Sequence, residues 1–312
     1  MYNILANRFM EYKGVIKNSK VYSDDKKFIL LSIEHFEIGT EELDNALMQI
    51  SLDPDNLFYL LQENDKSDEN LKRILLSFSC AQDFNTDQEI KDYIDLCISN
   101  NKSFYSFLAE MLQALLLKDV CRYNLVTHVI DYSFNPSLTH QGPDSCLYSE
   151  KDKKIVIGEA KFIENYSDCF NHIINDFKSG SGLLGKLLTL SIAAQNNPVT
   201  RQIIISKLGD SSLKMISLDQ FLKNDLVFCG FALHNTISKK EKYFAIDFYD
   251  SYRIEADEIA NHIKQIYNAD YVKNLEEVGK YKVIIFHLPI NSKRELIFKI
   301  IKEAQKRYLD LA

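Results

Sequence analysis

The stretch GPDSCLYSEKDKKIVIGEAKF, residues 142 to 162, sets Asp144, Glu159 and Lys161 into two otherwise apolar runs. Side chains alternate along a strand, so Ile157, Glu159 and Lys161 share one face. If EKDK (150 to 153) is a four-residue hairpin loop, Ser149 faces Lys154 and the pairing runs back to place Asp144 opposite Glu159. Their Cβ atoms would then lie about 5 Å apart, and two like charges so placed weaken a strand pair. A cation between them, or a proton on one, relieves the conflict.

A divalent metal meets that need. Mg²⁺ selects hard oxygen donors and takes one or two protein carboxylates, keeping positions for water and phosphate. Asp144 and Glu159 are the first candidate ligands. The backbone carbonyl of Ala160, between Glu159 and Lys161, is a third, and Glu110 on the preceding helix can add another carboxylate. The ammonium of Lys161 is placed to orient an attacking water and offset charge building on a phosphorane-like transition state. Together these parts suit metal-assisted hydrolysis of a phosphodiester.

Each residue also has a plainer role. Asp144 could cap its own turn after Gly-Pro, and Glu159 with Lys161 could be a solvent-facing pair on an edge strand. Glu110 could be a solvated or salt-bridged helix residue. Against the edge-strand role, KIVIGEAKF is apolar on both faces, as interior strands are. Gly158 beside Glu159 permits close approach by a ligand or a backbone.

The elements that must position these residues follow from periodicity. In SNNKSFYSFLAEMLQALLLKDV, Phe104, Phe107, Leu108, Met111, Leu112, Leu115 and Leu116 form a helical stripe, with further apolar residues on other sides. A central helix bearing Glu110 is predicted. NLVTHVIDYSF, HQGPDSCLYS and KIVIGEAKF read as strands, and SDCFNHIINDFK begins a helical region broken at glycines. RQIIISKL, LVFCGFALHN, KYFAIDFYD and KYKVIIFHLPI are strand-like, with helices at 255–277 and 292–310. Before residue 98 the pattern gives a strand at 26–39, a helix opened by Thr40, and two more helices separated by the polar loop ENDKSDEN. Helices before and after a mixed sheet make the fold α/β or α+β. A division is expected at residue 98, with an acidic α/β region at 1–98 and the catalytic domain at 99–312.

Pro143-Asp144, then Glu159-Ala160-Lys161 fifteen residues after the aspartate, behind a helix bearing Glu110, resembles the PD-(D/E)xK nuclease superfamily. That resemblance implies an αβββαβ core, with Glu110, Asp144 and Glu159 as metal-site carboxylates and Lys161 as the catalytic cation. The longer pattern FLAEMLQ…GPDSCLY…IVIGEAKF, mainly within residues 100 to 200, more narrowly resembles the HamA family, nuclease subunits of Hachiman antiphage systems. With the metal-site chemistry read above, a Mg²⁺-dependent deoxyribonuclease is expected, with Mn²⁺ an admissible substitute, and the lack of a base-reading module together with the acidic front end points to little sequence specificity. The resemblance also implies a helicase partner, HamB, that restrains the nuclease until foreign or damaged DNA is sensed. Residues 1–98 are then the candidate docking region for that ATPase.

Composition narrows the field further. Of 312 residues, 46% are apolar and 26% charged, with a net charge of −7. The acid excess falls in residues 1–100, at −9, against +2 in the remainder. The first part should repel a phosphate backbone, so weak free DNA affinity or delivery by a partner is expected. No apolar run approaches the roughly 18 residues of a membrane helix, and a cytosolic protein with reduced cysteines is expected. The cysteines and histidines show no zinc-site or Cys/His catalytic spacing; His128 and His140 read as structural. KSGSGLLGKLL departs from the phosphate-loop pattern, since Lys186 precedes Leu187, and reads better as a flexible link. Lys178 and Lys186 remain candidate DNA-backbone contacts. The last helix carries Lys293, Arg294, Lys299, Lys302, Lys306 and Arg307, read as facing mostly outward in a solvated, DNA-binding or partner-binding face. Two rivals stand beside the nuclease: a catalytically silent adaptor that scaffolds a helicase, and another acid-pair hydrolase such as a glycosidase. The absence of tryptophan, common on sugar-binding platforms, argues mildly against the second.

Overall fold

Alternating apolar runs and capped helices build a seven-stranded mixed sheet with helices on both faces in the computed structural model. The structure describes residues 20–22, 28–32, 41–62, 64–126, 144–149, 154–178, 201–202, 204–206, 218–235 and 280–311. Its strands are β1 (Lys20–Tyr22), β2 (Phe28–Ser32), β3 (Asn124–Leu125), β4 (Ser145–Ser149), β5 (Lys154–Phe162), β6 (Asp225–Asn235) and β7 (Tyr281–Ile290). They lie in the order β1-β2-β7-β6-β5-β4-β3. The neighbours β5–β6, β6–β7 and β2–β7 are parallel, and the rest are antiparallel.

The helices are α1 (Glu41–Ser51), α2 (Pro54–Leu60), α3 (Asp68–Phe78), α4 (Asp87–Asn100), α5 (Phe107–Cys121), α6 (Tyr166–Lys178), α7 (Leu218–Leu222) and α8 (Lys293–Asp310). Short polar side chains fix where several begin. Asp53, Ser67, Thr86 and Ser292 each accept a hydrogen bond from the amide three residues on, which satisfies a donor the helix cannot. Helix α5 is buried on all sides from Leu108 to Leu117, as a helix apolar around its circumference should be. It ends where Arg122 turns left-handed, with φ 61°. Among the described residues the order α5-β3-β4-β5-α6-β6 follows the αβββαβ succession expected of a nuclease core, with the helical residues 201–202 and 204–206 and the short α7 lying between α6 and β6.

Several expectations are corrected. Helix α4 had no predicted counterpart. Strand β2 pairs with β7, and α8 packs across α1, α3 and α4. The described parts of RQIIISKL, 201–202 and 204–206, are helical rather than extended; β-branched preference is weak beside tertiary packing. Lys293 does not face outward: it is fully buried, its ammonium donating to the carbonyls of Lys102 (2.8 Å) and Phe162 (2.5 Å).

Other cations of α8 bind acids and carbonyls of the first hundred residues. Lys302 pairs with Asp87 at 2.8 Å, Arg294 with Asp95, and Arg307 donates to the carbonyl of Leu52 at 2.6 Å. Lys299 lies 3.9 Å from both Glu41 and Asp44. The acidic front of the chain therefore serves as counter-charge for its own distant helix. The segments 33–40, 127–143, 179–200 and 236–279 lie outside the described residues, and with them Thr40, His128, His140, Lys186 and the predicted helix at 255–277. Among the described residues no helix is long and apolar enough to cross a membrane.

Candidate active site

The hairpin register is the one the loop length predicts. Ser149 pairs with Lys154, and the ladder runs back to Ser145 opposite Gly158. At Asp144 it changes character. The Asp144 amide donates to the carbonyl of Gly158 at 3.1 Å, and its carboxylate accepts from the Ala160 amide at 2.6 Å. Asp144 therefore ends β4 by using its side chain as a strand partner, which fixes its carboxylate beside Glu159. The turn-capping alternative is realised in altered form: the cap is thrown across to β5.

Glu159 and Lys161 lie on the sheet face covered by α6. The Lys161 ammonium touches Glu159 Oε1 at 2.5 Å and Asp176 Oδ2, on α6, at 3.1 Å. The Glu159 side chain is 2% exposed, so the ion pair is interior rather than a solvated edge. Burial alone would lower the Lys161 pKa. The carboxylates of Asp144, Asp176 and Glu110 outweigh it and hold the ammonium above the ordinary lysine range. Glu110, nearly buried on α5, adds its charge to the field at Lys161.

On the opposite face stands a residue the sequence reading passed over. Gln113 is fully buried one helical turn beyond Glu110. Its amide donates to the carbonyls of Cys229 (2.7 Å) and Glu159 (3.3 Å) and accepts from the Ser145 hydroxyl (3.0 Å). One side chain thereby ties β4, β5 and β6 together beneath the acidic pair. Gly158 makes room for it: a Cβ there would stand 1.9 Å from Ser145 Oγ and 2.3 Å from Gln113 Oε1. The close approach that Gly158 permits is that of side chains, not of a ligand or backbone. A lone amide in an all-apolar helix was the available signal for Gln113. Asp176 had none, sitting on an ordinary amphipathic helix.

The donor chemistry suits a hard divalent cation. Asp144 and Glu159 offer carboxylate oxygens from adjacent strands, the number Mg²⁺ takes while retaining its waters. No nest of three or more Asp, Glu, His or Cys side chains able to hold a metal exists among the described residues. Lys161 is the cation that lets the carboxylates coexist in this arrangement. Of the candidate DNA contacts, Lys178 closes α6 in the backbone, and Lys186 falls outside the described residues.

No curated protein matches the chain. The HamA family model matches residues 15–304, a span that runs from before β1 into α8 and takes in the whole sheet and every candidate site residue. A strand-end aspartate, a buried Glu-x-Lys strand and a carboxylate-bearing central helix thus lie within that match, and the chain belongs to the HamA family of Hachiman defence-associated proteins.

Proposed function

We propose that this protein is a Mg²⁺-dependent deoxyribonuclease that cleaves DNA with little sequence preference as the effector of an antiphage complex. The observation that carries this reading is the placing of Asp144 and Glu159 on neighbouring strands, with Asp144 bonded to the Ala160 amide at 2.6 Å and the Lys161 ammonium on Glu159 at 2.5 Å. Asp144 and Glu159 would hold the metal, joined by the Ala160 carbonyl and by Glu110 after a side-chain adjustment. A bound Mg²⁺ supplies Lewis acidity to the phosphodiester and lowers the pKa of its water.

The chain's own residues do the rest. Lys161 keeps its proton, so it acts as a positioned charge that orients water and stabilises the developing phosphorane, not as a base. Gln113 keeps the two carboxylate-bearing strands at fixed separation. A helicase partner that restrains the nuclease is part of the proposal, and it rests on family membership. The candidate docking surface lies in residues 1–98, whose acidic helices discourage DNA from binding there.

Plasmid degradation tests the reading. The chain, alone and with any co-purifying ATPase, should degrade DNA with Mg²⁺ and not with EDTA, and Glu159→Ala or Lys161→Ala should abolish it with folding retained. Full activity in both variants removes the proposal. The silent-adaptor reading keeps one point in its favour, the absence of a three-ligand nest among the described residues; it requires no Mg²⁺-dependent cleavage under any condition.

A further inference from the structure

Asp176 was not among the residues expected at the site, yet its carboxylate lies 3.1 Å from the Lys161 ammonium. Its place on α6 is locally unfavourable. It occupies the last turn of Tyr166–Lys178, where the helix presents its negative pole and a carboxylate is disfavoured. The contact with Lys161 compensates for that cost. The two partners of the ammonium differ sharply in access: the Glu159 side chain is 2% exposed, that of Asp176 37%. Glu159 is held in the interior, whereas Asp176 stands at the rim and can turn to water.

An incoming phosphodiester needs the same ammonium. It meets a negative charge already seated there, beside the further charges of Asp144 and Glu110. A phosphate oxygen that reaches the remaining N–H of Lys161 stands against the Asp176 carboxylate, and the like charges favour contact only as Asp176 moves aside.

We propose that Asp176 is a gate on the active site: its carboxylate occupies Lys161 in place of a DNA phosphate and holds the backbone off until displaced. The inference rests on the nuclease reading and adds to it a positioning residue outside the Asp-Glu-Lys motif. It gives the resting protein a built-in reluctance to engage DNA.

The test measures binding of a fluorescein-labelled mixed-sequence duplex by anisotropy, in EDTA, over a series of salt concentrations. Asp176→Asn should bind about two- to fivefold more tightly, the range expected on removing a partly exposed like charge. The slope of log K against log salt should steepen by about 0.9, since one further phosphate is neutralised. Asp176→Glu should match the unmodified chain on both measures. The gain should vanish when Asp176→Asn is combined with Lys161→Met. Asp176→Ser repeats the test in a variant of different helix preference.

Unchanged or weaker binding in both Asp176→Asn and Asp176→Ser overturns the gate, as does a gain that persists without Lys161. Mg²⁺-dependent cleavage by the unmodified chain separates the two claims. If that chain cleaves and binding does not respond to Asp176, only the gate fails. If it never cleaves, the nuclease reading fails and the gate with it.

Discussion

Gly158→Ala is the sharpest probe of how the site is held. The added methyl would lie 1.9 Å from Ser145 Oγ and 2.3 Å from Gln113 Oε1, both buried side chains. Neither group can yield without loss. Swinging Gln113 aside breaks its bonds to Cys229 and Glu159, and moving Ser145 breaks the bond between the two. Overpacking a tight interior costs about 1–3 kcal/mol. Each buried polar group left without a partner adds about 1–3 kcal/mol. A total of about 2–6 kcal/mol follows if one buried group loses its partner. For a chain of this length that lowers Tm by roughly 3–9 °C. Thermal melts and urea titration should report it, and Ser145→Ala in the Gly158→Ala background should recover part of the loss. Cleavage should fall further than the unfolded fraction explains, because the strands bearing Asp144 and Glu159 would separate. A Gly158→Ala chain that melts within about 1 °C of the unmodified protein would refute the reasoning, since the expected cost is several times larger.

The buried ion pair gives a double-mutant test: Lys161→Met should destabilise by about 3 kcal/mol by stranding the Glu159 charge. Combining it with Glu159→Gln should restore much of that in urea titration, and a strictly additive result would break the pairing argument. His234 is buried, its Nδ1–H donating to the Asn235 carbonyl at 2.9 Å, and burial lowers its pKa from 6.5 to about 4. The unfolded chain takes up the proton first, so this contribution is complete above pH 6.5 and is lost as pH falls toward 4. It amounts to about 3 kcal/mol at full effect, and His234→Gln should flatten the slope of stability against pH across that window. Ile300→Ala, at a fully buried position of α8, should cost about 2–5 kcal/mol, measured by the shift of the urea midpoint.

Local rules made much of the site legible. A four-residue loop dictates register, register puts Asp144 opposite Glu159, and alternation adds Lys161 to the same face. Helix α5 was readable because its apolar residues exceed what one face requires. What escaped depends on partners distant in sequence. The cations of α8 look like a free basic face because the acids that pair with them, Asp87 and Asp95 among them, lie about two hundred residues earlier. Lys293 reads as a surface residue until the carbonyls of Lys102 and Phe162 are placed around its ammonium. Asp176 gave no sign, since a carboxylate on an amphipathic helix is ordinary until its neighbour across the sheet is known. Gln113 was visible as an anomaly, but only three strands brought to its amide explain it.

The buried ammonium of Lys293 bears on the order in which the site is assembled. It anchors to the Phe162 carbonyl, one residue past Lys161, yet it is synthesised long after the strand it secures. A nascent chain stopped short of α8 therefore holds Glu159 and Lys161 without the clamp on the strand that carries them, and its early acidic helices lack their basic mates. On the proposed nuclease function, translation order would hold back DNA cleavage until α8 has emerged from the ribosome.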